Sequence, residues 1–292
     1  MAHHHHAMAA AYPVFKVVKA IGRPLGLALA HSLRVLIYHD IAPEDERKFA
    51  AQLRWLSRSW RFVSPAQFAA FISGDEPLRG RNLLLTFDDG FASNRRAAEQ
   101  VLKPLGIRAL FFVVSGFVSV TDRNEARHFI AQNIYPGLRA DDLPPHWYNM
   151  GWSDLEALLD QGHTIGCHTQ THARLSLIDS EANLEREIVA SANTLAQRLG
   201  TAIDHFAYTF GDIGSFSPEA LAVARRRFRC VYSGLRGDNA RARSPFAIRR
   251  EAVSAQDSLA LLGAYLEGVA DFRYSRSRAQ LARWTLSDPV RI

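Results

Sequence analysis

Apolar residues follow two rhythms that alternate along this chain. Short unbroken runs at 33–38, 83–87 and 109–114 read as buried strands. The third is rich in Phe and Val, which suits a parallel strand covered on both faces. Between such runs, apolar positions recur at helical spacing. Phe49, Leu53 and Leu56 mark one side of a helix over 46–59, and Leu184, Ile188 and Leu195 mark one side of a helix over 180–199. Ser64-Pro65 and Ser217-Pro218 look like helix starts, with Ser as N-cap and Pro in the first turn. Further helices are expected over 92–103 and 153–161, and a final one over 257–268. Further strands are expected at 163–167, 206–210, 230–232 and 247–253. Residues 119–150 break the rhythm with Pro136, Gly137, Pro144 and Pro145. The stretch is too long for an ordinary connection. It reads either as a lid over a site or as an insertion packed beside the main body.

Strands alternating with helices predict an α/β fold with a mainly parallel sheet. Polar motifs recur at the C-terminal ends of the strands: His39, Asp88-Asp89, His168 and the turn at Phe210. A closed (β/α) barrel gathers those ends on one face, where barrel active sites are built. An open, doubly wound sheet is the alternative.

Composition adds bounds. The 292 residues, 48% of them hydrophobic, suffice for one domain with a sizeable core. His3 to His6 belong to a tag-like segment over 1–10, which is set aside. Two cysteines, Cys167 and Cys230, do not make a disulfide framework, and Cys167 reads as a buried thiol. The net charge of +6 favours anionic partners such as acidic glycans, sugar phosphates or anionic lipid. Nucleic acid is set aside, because no binding motif accompanies the charge. No apolar run is long enough to span a membrane. The segment 14–30 is apolar with Lys16, Lys19 and Arg23, and reads as a helix packed on the body or as a contact with a membrane surface.

The candidate chemistry lies at two places. Leu83-Leu84-Leu85-Thr86-Phe87-Asp88-Asp89-Gly90 delivers two adjacent carboxylates into a turn. Two carboxylates held close tend to take different tasks, one paired with a cation and the other free as a base. His168-Thr169-Gln170-Thr171-His172 carries two imidazoles at i,i+4, the spacing that sets both on one side of a helical turn. Asp89 with these two His is a two-His-one-carboxylate set, as used where a metal keeps an open position.

Thr86-Phe87-Asp88-Asp89-Gly90 followed by His168-Thr169-x-x-x-His172 resembles the polysaccharide deacetylase family, the NodB-homology carbohydrate esterases, over roughly residues 33–255. The resemblance implies a deformed (β/α) barrel and a metal-dependent hydrolase that removes acetyl groups from N-acetylated sugars. It implies Asp88 as general base and Asp89, His168 and His172 as ligands to one divalent ion, with Zn2+ expected. It places Phe210 where a backbone amide receives the oxyanion. The chain departs from the family pattern in that third motif, where Ala207 and Thr209 stand in place of the usual Arg and Pro. What orients Asp88 is therefore open. The usual late-chain acid His is also missing, since none follows His205. Leu36-Ile37-Tyr38-His39-Asp40 resembles the Tyr-His motif of a circularly permuted subgroup, which implies His39 as general acid with Asp40 to orient it. His146, Trp147 and Tyr148, and with them Trp152, are candidates for the wall of a sugar subsite.

The function expected is N-deacetylation of an amino sugar in a bacterial-type surface glycan or its precursor. A non-catalytic glycan-binding protein on the same fold is the alternative. The expected location is the cytoplasm or the inner membrane surface, with export as the alternative.

Overall fold

The computed structural model describes residues 31–241 and 244–286. The tag-like segment and the apolar stretch 14–30 lie outside them.

Eight strands are present among the described residues: β1 Ser32–Tyr38, β2 Arg61–Phe62, β3 Arg81–Phe87, β4 Leu110–Val113, β5 Thr164–Cys167, β6 His205–Ala207, β7 Cys230–Tyr232 and β8 Glu251–Ala252. Every pairing among them is parallel. The order across the sheet is β7-β6-β5-β4-β3-β1-β8, with β2 also paired to β3. The segment before β8 turns this curled sheet into a deformed barrel. Ile248 bridges to Tyr232 of β7, while β8 pairs with Leu36 and Ile37 of β1. Closure rules out the open doubly wound alternative.

Alternation along the strands explains why the barrel is filled. Leu83, Leu85 and Phe87 of β3 face outward and pack with the surrounding helices. Leu84 faces inward and joins Leu33, Val35, Leu110, Phe112, Tyr232 and Ile248 in a separate interior cluster. All of these are buried, and truncating such a Leu to Ala costs about 2–5 kcal/mol. Gly166 lies on β5 where a Cβ would stand 2.6 Å from the Phe112 ring, so the interior aromatic fits only against glycine there. Cys167 packs outward beside Ser191, and burial pushes its thiol up to about 11, which leaves it an inert core group.

The stretch 119–150 is folded. Asp122 caps the helix Arg123–Phe129, which runs on into a π-turn over Ile130–Ile134. Phe117, Ala126, Ile130, Ile134 and Leu143 form a small core of their own with Phe91 and Val114. Backbone bonds from Ala92 to Tyr148 and from Met150 to Gly90 tie its end to the turn after β3.

Some expected elements differ. The strand predicted over 247–253 keeps regular pairing only at Glu251–Ala252, because its neighbours are engaged by bridges and loops on both sides. Beyond the predicted final helix, which is Leu259–Leu266, another runs over Ser275–Leu286.

Candidate active site

The site forms at the C-terminal ends of β1, β3, β5 and β6. Asp88 and Asp89 lie just past β3, where pairing has ended and the chain can twist. Asp88 N–H still donates to Tyr38 O at 3.0 Å, which fixes the first carboxylate beside β1. Asp89 has φ +73°, a left-handed conformation that swings the second carboxylate toward the same cavity. Thr169, His172 and Phe210 also have φ between +62° and +68°. These are the non-glycine residues with positive φ among the described residues, and all belong to the site. Such conformations cost about 1–3 kcal/mol each and cluster where function needs them.

His168 and His172 do not lie on a helical turn, contrary to the expectation from their spacing. They sit in a loop that doubles back through Thr169 and His172. The loop cannot close its own helical bonds because its backbone is used elsewhere. Gln170 and Thr171 N–H groups donate to the Glu187 carboxylate at 3.0 and 2.9 Å. Ser115 and Gly116 N–H groups donate to Thr169 and Gln170 carbonyls. Gly116 permits this approach, since a Cβ there would stand 2.5 Å from the Gln170 oxygen.

Both imidazoles use Nδ1 on the backbone. His168 Nδ1 lies 2.7 Å from Ala207 O, and His172 Nδ1 lies 2.9 Å from Asn133 O. A carbonyl only accepts, so each Nδ1 carries the proton. In the neutral ring, each Nε2 then presents a lone pair. Those two Nε2 atoms stand 3.5 and 3.4 Å from the same oxygen, Asp89 Oδ1. All three donor atoms lie within 4.8 Å of one another, in buried surroundings. Two lone pairs facing one carboxylate repel unless a cation lies among them. The donor set therefore fits a divalent ion of the kind that takes imidazole and carboxylate together.

Asp88 has different company. Arg250 grips it with a planar fork, Nη1 to Oδ1 at 2.7 Å and Nη2 to Oδ2 at 2.8 Å. Arg250 is only 1% exposed. Its Nε donates to Ser233 O at 2.9 Å, and its guanidinium lies near the Phe112 and Tyr232 rings. Burial pushes the Asp88 carboxyl up, but the Arg250 guanidinium outweighs it and holds it below the ordinary value.

Arg250 is the functional residue that sequence reasoning missed, and it occupies the role left open by Ala207 and Thr209. It enters from the segment that closes the barrel. In the sequence, Arg249-Arg250-Glu251 looks like a surface charge run. The one signal was its place inside a short stretch with strand character.

His39 lines the same cavity as both Asp, both His and Arg250. Asp40 does not orient it. Its carboxylate instead accepts from Ser93 Oγ, His146 Nε2 and Trp147 Nε1 at 2.7, 2.9 and 3.0 Å. Phe210 also lines the cavity and is 40% exposed. Its ring packs on His172 at 4.8 Å, and its N–H has no hydrogen-bond partner among the described residues. Trp152 lies away from the cavity, against Arg198. The stretch 119–150 contributes directly, through Asn133 O on His172 and through Ile134 and Tyr135 in the cavity wall.

A parallel barrel with a buried carboxylate–imidazole triad at its strand ends defines the class: a (β/α)-barrel protein with a candidate single-metal centre. The sequence profile of the polysaccharide deacetylase family matches residues 75–226, just over half of the chain. The chain belongs to the polysaccharide deacetylase family. It is 20% identical over 244 residues to the putative polysaccharide deacetylase YxkH of Bacillus subtilis (strain 168), covering 81% of this chain and 77% of that one. Its fold is similar to that of IcaB from Ammonifex degensii, with a TM-score of 0.62 at 25% identity, over 81% of this chain and 97% of that one. It is also similar in fold to the Streptococcus pyogenes deacetylase PplD, solved in complex with acetate, with a TM-score of 0.63 at 19% identity, over 79% and 96% of the two chains. The matched stretch 75–226 holds Asp88, Asp89, His168, His172 and Phe210, while His39 and Arg250 lie on either side of it.

Proposed function

We propose that this chain is a metal-dependent hydrolase that removes an N-acetyl group from an amino sugar of a surface glycan or its precursor. The observation that carries the reading is the division of labour between adjacent carboxylates. Asp89 faces two imidazole Nε2 atoms, and Asp88 is gripped by Arg250 beside them.

Asp89, His168 and His172 would hold the ion. When bound, it supplies Lewis acidity, polarising an acyl carbonyl and making water acidic enough to yield a proton near pH 7. Asp88, kept ionised by Arg250, takes the proton from the attacking water. The fork fixes the carboxylate plane, so its free lone pairs keep one direction. The Phe210 N–H, unused within the protein, donates to the oxygen that gains charge as water adds. His39 gives a proton to the departing amine, which leaves poorly as an anion.

The same proposal puts the chain in the permuted subgroup. In support, β1 comes first among the strands yet lies in the sheet between β3 and β8, with His39 at its C-terminal end. The Arg250 fork on Asp88 supports the catalytic reading over a non-catalytic glycan-binding protein.

Two measurements test this together: metal content of the tag-free protein, and acetate release from a panel of N-acetylated glycans with added divalent ions. Wild type should carry close to one ion per chain, and Asp89→Ala and His172→Ala should carry far less. Equal occupancy in all three would sink the ligand set. Acetate from none of the glycans would sink the deacetylase reading.

A further inference from the structure

Arg250 holds the carboxylate that takes the proton, yet it stands just before a strand of two residues. β8 meets β1 only at Leu36 with Glu251 and Ile37 with Ala252. So short a ladder fixes register weakly, and a slip of one residue would carry Arg250 from the interior to the outer face. Side chains must supply what the ladder lacks.

Glu251 does so from the other side of the barrel wall. Successive strand residues point to opposite faces. Arg250 reaches inward to Asp88, Phe112 and Tyr232. Glu251 turns outward onto Arg34, whose neighbours Leu33 and Val35 belong to the interior cluster. Glu251 is fully buried. Burying a carboxylate carries a large desolvation cost unless it is paired, and an apolar side chain would pack there without that cost. Here the pairing is complete. Glu251 Oε1 accepts from Arg34 Nη1 at 2.6 Å and from Gly237 N–H at 3.2 Å, and Oε2 accepts from Arg236 Nη1 at 2.8 Å.

We infer that Glu251 is a positioning residue for the reaction: clamped by Arg34 and Arg236, it locks the register of the closing strand and so aims Arg250 at Asp88. The inference rests on the deacetylase reading.

The clamp joins the parts that meet at the seam. Arg34 lies on β1, the strand that ends beside His39, and is anchored in turn to Asp271 at 3.0 and 2.9 Å. Arg236 comes from the turn after β7. Its Nη2 donates to Ala252 O at 2.7 Å, and its guanidinium lies 3.7 Å from the centre of the Tyr265 ring. Arg250 N–H donates to Leu235 O, one residue before Arg236. A shift of that turn would therefore move the Arg250 backbone and the Glu251 side chain together. Buried ion pairs add little net stability, and fixing register is their best-attested use.

The test reads kcat and KM for acetate release from the N-acetylated glycan that the wild-type protein turns over best. Glu251→Gln keeps the shape and removes the charge. Its kcat should fall about tenfold with KM within about twofold of wild type, because the lost interaction acts only in the chemical step. Metal content should stay at the wild-type level. A lower Tm would accompany any role for a buried ion pair, so a double-mutant cycle decides. In the Arg250→Gln background, Glu251→Gln should cost less than about twofold further, since no guanidinium is left to aim. Arg236→Lys keeps the charge of the clamp and is the milder change. It should follow the same pattern with a kcat loss of about threefold, as a Lys cannot serve both Glu251 and Ala252 with a fork.

A second readout is independent of the reaction. Arg250 Nε donates to Ser233 O at 2.9 Å in a buried setting. Exchange of that N–H, followed by NMR with isotope-labelled arginine and assigned by its absence in Arg250→Gln, should be about tenfold faster in Glu251→Gln than in wild type. Unchanged kcat in both variants, a full loss carried over into the Arg250→Gln background, or unchanged exchange at Arg250 would each overturn the inference while leaving deacetylation standing. Acetate from none of the glycans would remove the deacetylase reading and the inference with it.

Discussion

Asp88 and Asp89 are adjacent in the chain and have opposite surroundings, and their expected variants differ accordingly. Asp88→Asn should keep the ion and lose about 10²–10⁴-fold in turnover, the range for a removed acid–base group. An empty site in that variant would swap the two roles. Arg250→Gln should also keep the ion but let the carboxylate turn, for a loss on the order of 10²-fold as small misplacements give. Arg250→Lys restores charge without the fork and should recover only part of that loss. Full recovery would mean that charge alone matters. His39→Ala should lower turnover of an amide strongly and of an activated ester much less, because the ester's leaving group departs without a proton. Equal losses on both would remove His39 as the acid. Asp88, Asp89, His168 and His172 could be found in the sequence because residue type and spacing are local signals. Arg250 could not, because its partner lies 162 positions away and only the closed barrel brings them together.

Elements carry the next level of control. The loop of His168 to His172 is held from outside by Glu187, which accepts from Gln170 N, Thr171 N and Thr171 Oγ1. Glu187 lies in a π-turn over Arg186–Ala190, inside the helix predicted for 180–199. The hydrophobic period showed that helix, with Leu184, Ile188 and Leu195 buried as expected. It could not show the π-turn, whose hydrogen-bond register leaves no mark in apolar spacing. For the same reason i,i+4 histidines suggested a helical turn where the chain makes a strained loop. Glu187→Ala strips three bonds from that loop. The expected result is about 1–3 kcal/mol less stability per donor left buried and unpaired, and roughly 10–100-fold weaker ion binding, as for other groups that orient ligands. Calorimetric metal titration and thermal melts check both. Unchanged ion affinity would show that the loop keeps its shape alone.

The whole molecule responds to acid through groups remote from the chemistry. His163 Nδ1 accepts from Ala109 N–H at 3.0 Å, so a proton there would break a buried bond between β4 and β5. Burial, then Arg108 and Arg95, push its pKa down to about 4, and burial pushes His205 down to about 4 as well. Both stay neutral in the fold, whereas the unfolded chain takes up protons near pH 6.5. Their stabilising effect is complete above that value and is lost as pH falls toward about 4. Tm should therefore drop between about pH 7 and about pH 4.5, and His163→Asn, which does not titrate, should flatten part of that drop. A wild-type Tm that holds steady over this range would contradict the assignment.

Closing a barrel with its last strand puts its properties in sequence in time. The proposed ligands Asp89, His168 and His172 all precede Ala173, just past strands β3 and β5, which each pair with β4 between them. The grip of Arg250 on Asp88 spans most of the chain, and contacts of that separation form late because loop-closure entropy comes first. In refolding, ion uptake should therefore return before acetate release, and simultaneous recovery would refute that order. On the ribosome, Arg250 follows Phe210 by 40 positions (250 − 210), which takes about 2–8 s at 5–20 residues per second. For that interval the growing chain would be competent to hold an ion without yet being able to use it.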